Sequence, residues 1–412
     1  MTMNFTTTLA SWQQLDAWLS HHADFWQPVP FYTPEPSWAQ LAPDLWVALR
    51  GLTEQHYQAL AEDEAAARQW LGRYQSSLLD CPSVYSLDAL TVTAQQAQAL
   101  TLSEVQAPHM PARKRHQAGF LAAQLQPYDQ PLVDWCSGAG HLARTLAMSS
   151  GRPVLALEKD AALVARGTEW IQATQCPDQR RVTLQQQDVL SLQADSVFWP
   201  RDQHCVALHA CGDLHRHLLR QAVAARQPRI SLVPCCYHLT QASIWQPLAQ
   251  ATRVSALQGL TPAQMRLAVQ ETVTAPDRVT AQRHQLNIWR LGYEALRQQL
   301  AQDQIYRPLA SCSVKQLRRG FATFCAWAAE QQQLSLPEQV DWDTWWAQGQ
   351  QRYAEVQRDE LLRHQFRRPL ELWLLLDYVL FLQEAGYQVH FSCFCERRLS
   401  PRNLLIDARL AI

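Results

Sequence analysis

Lysine is almost missing from this chain: Lys114, Lys159 and Lys315 are the only ones, so nearly all positive charge is arginine. Arginine pairs with planar anions in bidentate fashion and stacks on bases, but heavy use of Gln, Leu and Trp beside it marks the bias as compositional. A strong charge of either sign is missing too. The formal net charge is −1, which excludes a surface that grips nucleic acid over its whole extent and leaves only a local basic patch. No long apolar run is present: the longest, Leu370 to Leu382, is too short to span a bilayer and carries Glu371, Asp377 and Tyr378, so it reads as a buried helix and no membrane partner is expected. The opening MTMNFTTTLASW has no basic segment ahead of an apolar core, unlike a secretory signal. Eleven cysteines without such a signal point to free thiols and a cytoplasmic location. Internal repeats and low-complexity tracts are also lacking.

What is present fills two or three domains, since 412 residues with 47% hydrophobic side chains can bury real cores. Residues 1–106 read as a helical N-terminal domain. Trp12, Leu15, Trp18 and Leu19, then Tyr57, Leu60 and Trp70, fall at helical spacing, so the tryptophans are core residues. Pro28, Pro30, Pro34 and Pro36 interrupt them, Cys81-Pro82-Ser83 ends them, and Val84 to Gln106 is a connector. Residues 107–239 open with a helix, His109 to Gln124, entered through Pro111 and bearing Arg113, Lys114, Arg115 and His116 in its first turns. Residues 240–367 show no convincing strand and read as a helical insertion, with segments at Pro262 to Glu271, Gln285 to Gln302 and Val314 to Glu330. Residues 368–412 read as a helix ending at Gly386 and a hairpin of Tyr387 to Cys395 with Asn403 to Ala408.

The centre of the chain is PLVDWCSGAGHL, Pro131 to Leu142. A short apolar run breaks into small residues and then into a helical pattern, as strand, tight turn and helix start. Gly138 and Gly140 permit the sharp turn and a close ligand, while Asp134 ahead of them and His141 and Leu142 after them do not suit a phosphate loop. Pro153 to Leu157 follows as a strand ending at Glu158, about 20 residues on, where a nucleoside's ribose hydroxyls would be held. Strands at Val182 to Gln186, closed by Asp188, at Cys205 to His209 and at Ile230 to Val233 alternate with helices. Alternation implies a doubly wound, Rossmann-like parallel sheet whose strand ends share one edge.

Glycine turn, Glu158, Asp188 and closing hairpin together resemble a class I S-adenosylmethionine-dependent methyltransferase. The segments VDWCSGAGHL, LHACGDL, PCCYH and RRPLELWLLLDYVLFLQEAGYQV followed by LSPRNL, with MPARKRH ahead of them, resemble the family of methyltransferase-like protein twenty-five and the glutathione S-transferase C-terminal domain-containing protein. In outline they are also similar to the eukaryotic tRNA 2'-O-methyltransferases. The resemblance covers His109 to about His238 and Arg368 to Asp407. It implies S-adenosyl-L-methionine as cofactor, with Asp134, Ser137, Gly138 and Gly140 around its methionine part, Glu158 on the ribose hydroxyls and Asp188 on the adenine amine. Carboxylates are sensible acceptors for both groups. Cys136 stands where the commoner turn has its first glycine.

Three readings compete for the strand ends HACGD and PCCYH. His209, Asp213 or His238 could position or deprotonate the methyl acceptor. Cys235, in a Pro-Cys pair like that of RNA cytosine-C5 methyltransferases, could attack a pyrimidine. Zinc could bind the Cys and His residues, but the spacing fits no CxxC pair, so no metal is expected. Beside these, Cys205, Cys393 and Cys395 read as packing. The Asp/Asn-Pro-Pro-aromatic motif of base-amine methyltransferases is absent, which leaves ribose oxygens, other RNA positions and protein side chains. The expected acceptor is a macromolecule, RNA (tRNA or rRNA) ahead of protein, weakly helped by Arg113 to Arg115 and by Arg363, Arg367 and Arg368, with the two helical regions walling the cleft. The rival is a non-catalytic scaffold that kept the fold.

Overall fold

The computed structural model describes residues 2–83, 94–196, 199, 201–271, 277–312 and 319–411. Its organising element is one eight-stranded sheet in the order β1-β7-β8-β6-β5-β2-β3-β4. The strands are β1 (Thr2–Met3), β2 (Leu132–Trp135), β3 (Val154–Glu158), β4 (Val182–Gln186), β5 (His204–Cys211), β6 (Arg229–Cys235), β7 (Tyr387–Cys393) and β8 (Leu404–Leu410). Strands β4, β3, β2, β5 and β6 run parallel. Every residue of β2 and β6 is buried, as expected of parallel strands covered on both faces. Helices α1 (Phe5–His21), α2 (Ala112–Gln124), α3 (His141–Ser150), α4 (Ala161–Ala173), α5 (Asp213–Ala224) and α6 (Arg367–Glu384) accompany the sheet. Leu121, Leu132, Leu146, Val154 and Val206 belong to its core.

The closing hairpin expected from the sequence is present, with β8 antiparallel to both β6 and β7. Its attachment is electrostatic as well as hydrophobic. Buried Arg229 forks onto both carboxylate oxygens of Asp407 at 2.8 Å each, and Ser231 donates to the same carboxylate at 2.6 Å. Strand β1, which the sequence reading did not anticipate, pairs antiparallel with β7.

The chain divides into two compact units, one of Met1–His21, Pro82–Thr274 and Arg367–Ile412, the other of His22–Cys81 and Ala275–Phe366. These limits differ from boundaries at 106, 240 and 367. Helix α1 and residues 240–271 lie in the unit with the sheet. The reason for α1 is visible in its buried face: the Trp12 ring stacks on Trp373 at 6.0 Å, and Asp16 accepts hydrogen bonds from Trp373 Nε1, Ser255 Oγ and the Ala256 amide. Asp377, the charge inside the apolar run, is likewise buried and accepts from the amides of Leu248 and Ala249 and from Thr252 Oγ.

In the second unit, the helices Asp277–Ala301 and Trp342–Arg363 touch backbone to backbone. A Cβ on Gly349 would lie 2.4 Å from the Ile288 carbonyl, and one on Gly292 would lie 2.6 Å from that of Trp345. Arg50 reaches both oxygens of buried Asp359 at 2.7 and 2.9 Å, so residues 22–81 and 275–366 share an ion pair. Residues 314–318 of the helix expected at Val314 to Glu330, and residues 84–93 of the connector, lie outside the described residues. Among the described residues, no helix is long and apolar enough to cross a membrane.

Candidate active site

All five parallel strands end on one edge, and the strand order reverses its direction of growth between β2 and β5. Ligands of doubly wound sheets bind outside the carboxyl ends at such a switch point. The turn after β2 is built for a close approach. Cys136, Gly138 and Gly140 all have positive φ, at 61°, 58° and 72°. The Ser137 amide still bonds the Leu157 carbonyl at 2.9 Å, while the Gly140 amide closes the turn on the Ser137 carbonyl. A Cβ on Gly138 would meet nothing within 4 Å, so this glycine borders open space.

Asp134 lies beneath the turn. It is buried, and its carboxylate accepts the Ala143 amide at 3.0 Å, which ties the strand to the first turn of α3. Burial raises its pKa to about 7, against the pull of that amide. It builds the turn; the cavity wall is made by others. Glu158 accepts from the Gly138 amide at 2.9 Å and from the Asp160 amide at 3.0 Å, so the carboxylate is oriented toward the turn before any ligand arrives. Asp188 caps a short 3-10 turn through the Leu190 amide and pairs with Lys159 Nζ at 2.6 Å. The lysine holds the carboxyl below its usual range.

These groups border a cavity of about 640 Å³ whose wall includes Cys136, Glu158, Lys159, Asp188, Asp213 and His238. Of the residues selected from sequence, Glu158, Asp188, Asp213 and His238 therefore meet there. Asp134, Ser137, Gly138 and Gly140 shape the turn below it. His209 is placed differently: it has φ 61° within the irregular stretch of β5 between Leu208 and Cys211. Burial, then the charges of Arg402 and Arg113, lower its pKa to about 4. Cys235 is buried, in register with Cys211. Hydrogen bonding with Cys211 and Cys236, and desolvation, push its thiol up.

A second, smaller cavity of about 180 Å³ shares Asp213 and Thr240 with the first and is lined by Arg216, Arg220, Tyr237, Trp245 and Tyr378. Sequence reasoning missed these residues. The available signal was Asp213, Arg216 and Arg220 at steps of three and four along α5, which share one helix face. The Arg216 guanidinium lies 5.8 Å from the Tyr378 ring centre. Tyr237 Oη and Trp245 Nε1 are buried without a hydrogen-bond partner among the described residues.

Beside this cavity, His215 is fully buried between the Ala210 carbonyl and Tyr378 Oη, each at 3.0 Å. Burial lowers its pKa from 6.5 to about 4, with the Ala210 carbonyl opposing. The neutral ring's contribution to stability is complete above pH 6.5 and is lost as pH falls toward 4, because only the unfolded chain protonates in that window. The loss is about 3 kcal/mol. Asp134, with its raised pKa, acts in the opposite sense, favouring folding at low pH and losing that contribution as pH rises from 3.8 to about 7. Because the two groups oppose each other below pH 6.5, the test is a difference: in thermal melts from pH 8 to 4, acidification is expected to lower Tm less, or raise it more, in His215→Gln than in the wild type.

Residues 115–243 match a family model described as a methyltransferase domain. This part of the chain is a methyltransferase domain. Its limits take in α2, the glycine turn, the strand ends through β6 and the PCCYH turn. With the hairpin of β7 and β8, the domain has the Rossmann-like class I fold. Compared with curated proteins, the chain matches none. Among solved structures, the chain is similar to the glycopeptide N-methyltransferase MtfA complexed with S-adenosyl-L-methionine, at 19% identity over 34% of this chain and 61% of that one, with a TM-score of 0.25. It is similar to the CcbJ methyltransferase from Streptomyces caelestis at 16% identity over 34% and 57%, TM-score 0.25. The YcgJ protein from Bacillus subtilis is similar at 13% identity over 72% and 99%, TM-score 0.28. The chain thus spans about 60% of the length of the MtfA structures, and likeness at these scores decides nothing about its substrate.

Proposed function

We propose that the protein transfers a methyl group from S-adenosyl-L-methionine to a macromolecular acceptor, RNA in preference to protein. The observation that carries this reading is the coincidence, within the matched domain, of a left-handed glycine turn and two carboxylates on one cavity at the switch point. Open space at Gly138 and acceptor oxygens at Glu158 and Asp188 fit the cofactor's methionine, ribose and adenine in that order along the edge. When bound, the cofactor supplies an already activated methyl, so the protein's part is chiefly alignment. Asp213 is well placed to orient an acceptor because it stands on the wall common to both cavities, and its carboxylate is fixed by the Gln241 amide at 2.8 Å. His238 and Lys159 are the basic residues on the cofactor-side cavity.

The preference for RNA now rests on other arginines than those singled out in the sequence. Arg115 pairs with Glu104, Arg363 is buried against the Trp26 carbonyl and Glu360, and Arg368 is held by Glu371 and Asn403. Those guanidinium groups are engaged internally. At the second cavity, Arg220 and Arg216, whose guanidinium also donates to the Gln246 carbonyl, stand beside Tyr378, a combination of positive charge and ring suited to a phosphodiester next to a base. Incubation with methyl-labelled cofactor and fractionated cellular RNA and protein is expected to label RNA. Arg220→Ala is expected to lower that labelling at least tenfold with cofactor affinity unchanged, and Gly138→Arg to abolish it. Label in protein alone would replace RNA as the acceptor. Cofactor binding with no label in either fraction would leave a scaffold that kept the fold.

A further inference from the structure

Two turns at the sheet edge, after β5 and after β6, are held together by backbone hydrogen bonds. Cys211 and Cys235 are directly in register on neighbouring parallel strands, and their sulfurs lie 3.3 Å apart. Cys236 takes a left-handed φ of 46°, and the sulfurs of Cys211, Cys235 and Cys236 lie within 4.8 Å of one another. Gly212, also left-handed, lets the second turn close over the first, since a Cβ there would sit 1.8 Å from the Leu239 carbonyl oxygen. Two backbone hydrogen bonds fasten the pair, from the Gly212 amide to the Cys235 carbonyl and from the Asp213 amide to that of Leu239, while the Leu239 amide closes its own turn on the Cys236 carbonyl. Two residues beyond the sulfurs, His238 Nδ1 is buried without a hydrogen-bond partner among the described residues.

We propose that Cys211, Cys235 and Cys236 form a binding site for a soft divalent metal, zinc by preference, with His238 or a cavity ligand in the fourth position. A tetrahedral zinc with sulfur arms of about 2.3 Å sets its sulfurs roughly 3.8 Å apart, a spacing the three side chains reach with small rotations. Soft thiolates select zinc over the hard cations. Cys211 and His238 both stand on the cofactor-side cavity, so a fourth position filled from the cavity would put a Lewis acid on its wall. Sequence spacing disfavoured zinc because 24 residues separate Cys211 from Cys235; the sheet register, not a short loop, brings the ligands together.

The test is a cobalt(II) titration of the reduced, metal-stripped, untagged full-length chain, followed by displacement with zinc. One equivalent is expected to give tetrahedral visible bands and a thiolate charge-transfer band, both removed by stoichiometric zinc, which also raises Tm. Cys176→Ser, remote on the loop before β4, is expected to keep the signal. Cys236→Ser and Cys211→Ser are each expected to remove the charge-transfer band or weaken metal affinity at least a hundredfold; Cys236 is half-buried, so its variant keeps the test available should Cys211→Ser fail to fold. No charge-transfer band in the reduced wild type, or a band intact in Cys236→Ser, would overturn the site, as would a Cys211–Cys235 disulfide that resists reductant. Cofactor affinity is read separately by calorimetry, so failure here leaves the methyl-transfer reading standing.

Discussion

Gly212→Ala is expected to destabilise the sheet-containing unit by about 3 kcal/mol or more and to lower its Tm on the order of 6–12 °C. Two costs combine. Gly212 has φ 53°, which costs alanine roughly 1–2 kcal/mol. The new Cβ would also lie 1.8 Å from the Leu239 oxygen and 2.5 Å from its carbonyl carbon, so backbone must move. The moving backbone carries Cys236, His238 and Thr240, and cofactor-side and acceptor-side cavities should both deform. Gly138→Ala separates strain from collision. It has a similar φ of 58° but open space around the Cβ, so its stability loss is expected to be only about 1 kcal/mol. Equal Tm losses in the two variants, read by calorimetric melts, would show that the close approach at Leu239 is not maintained.

Local chemistry made the site's framework legible. Small residues with positive φ must punctuate the chain where β2 turns into α3, and a carboxylate at the end of β3 or just past β4 is a short-range feature of a strand terminus. The hairpin of β7 and β8 was legible for the same reason, through a residue period that suits strands better than helices. What escaped the sequence depends on contacts between distant positions. Gly292 against Gly349, and Arg50 against Asp359, unite two helical segments that look separate along the chain. Asp16 bonding Ser255 and Trp373 draws α1 into the other unit. Proximity in sequence likewise does not reveal that Arg115, Arg363 and Arg368 each have an acidic partner. Sulfur register across β5 and β6 is likewise invisible to spacing rules, which describe ligands from one turn.

Glu158→Ala is expected to weaken S-adenosylmethionine and S-adenosylhomocysteine binding by at least a hundredfold, whereas Asp188→Asn should cost only a fewfold. The difference follows from how each carboxylate is held. Glu158 is oriented by the Gly138 and Asp160 amides, and its remaining lone pairs are proposed to take both ribose hydroxyls. Hydrogen bonds to a charged group contribute about 1.5–3 kcal/mol each, so two of them correspond to roughly a hundredfold or more. Asp188 is partly exposed and already paired with Lys159, whose side chain is 75% exposed, and an ion pair so open to solvent contributes about 0–1 kcal/mol. Losing it changes little, and an adenine amine can still be accepted by the amide oxygen of asparagine. Glu158→Gln keeps one acceptor oxygen and should fall between the two. Calorimetric titration of the three variants decides the order. If Asp188→Asn loses more affinity than Glu158→Ala, the ribose contact belongs elsewhere on the cavity, and the direction in which the cofactor runs along the sheet edge must be reversed.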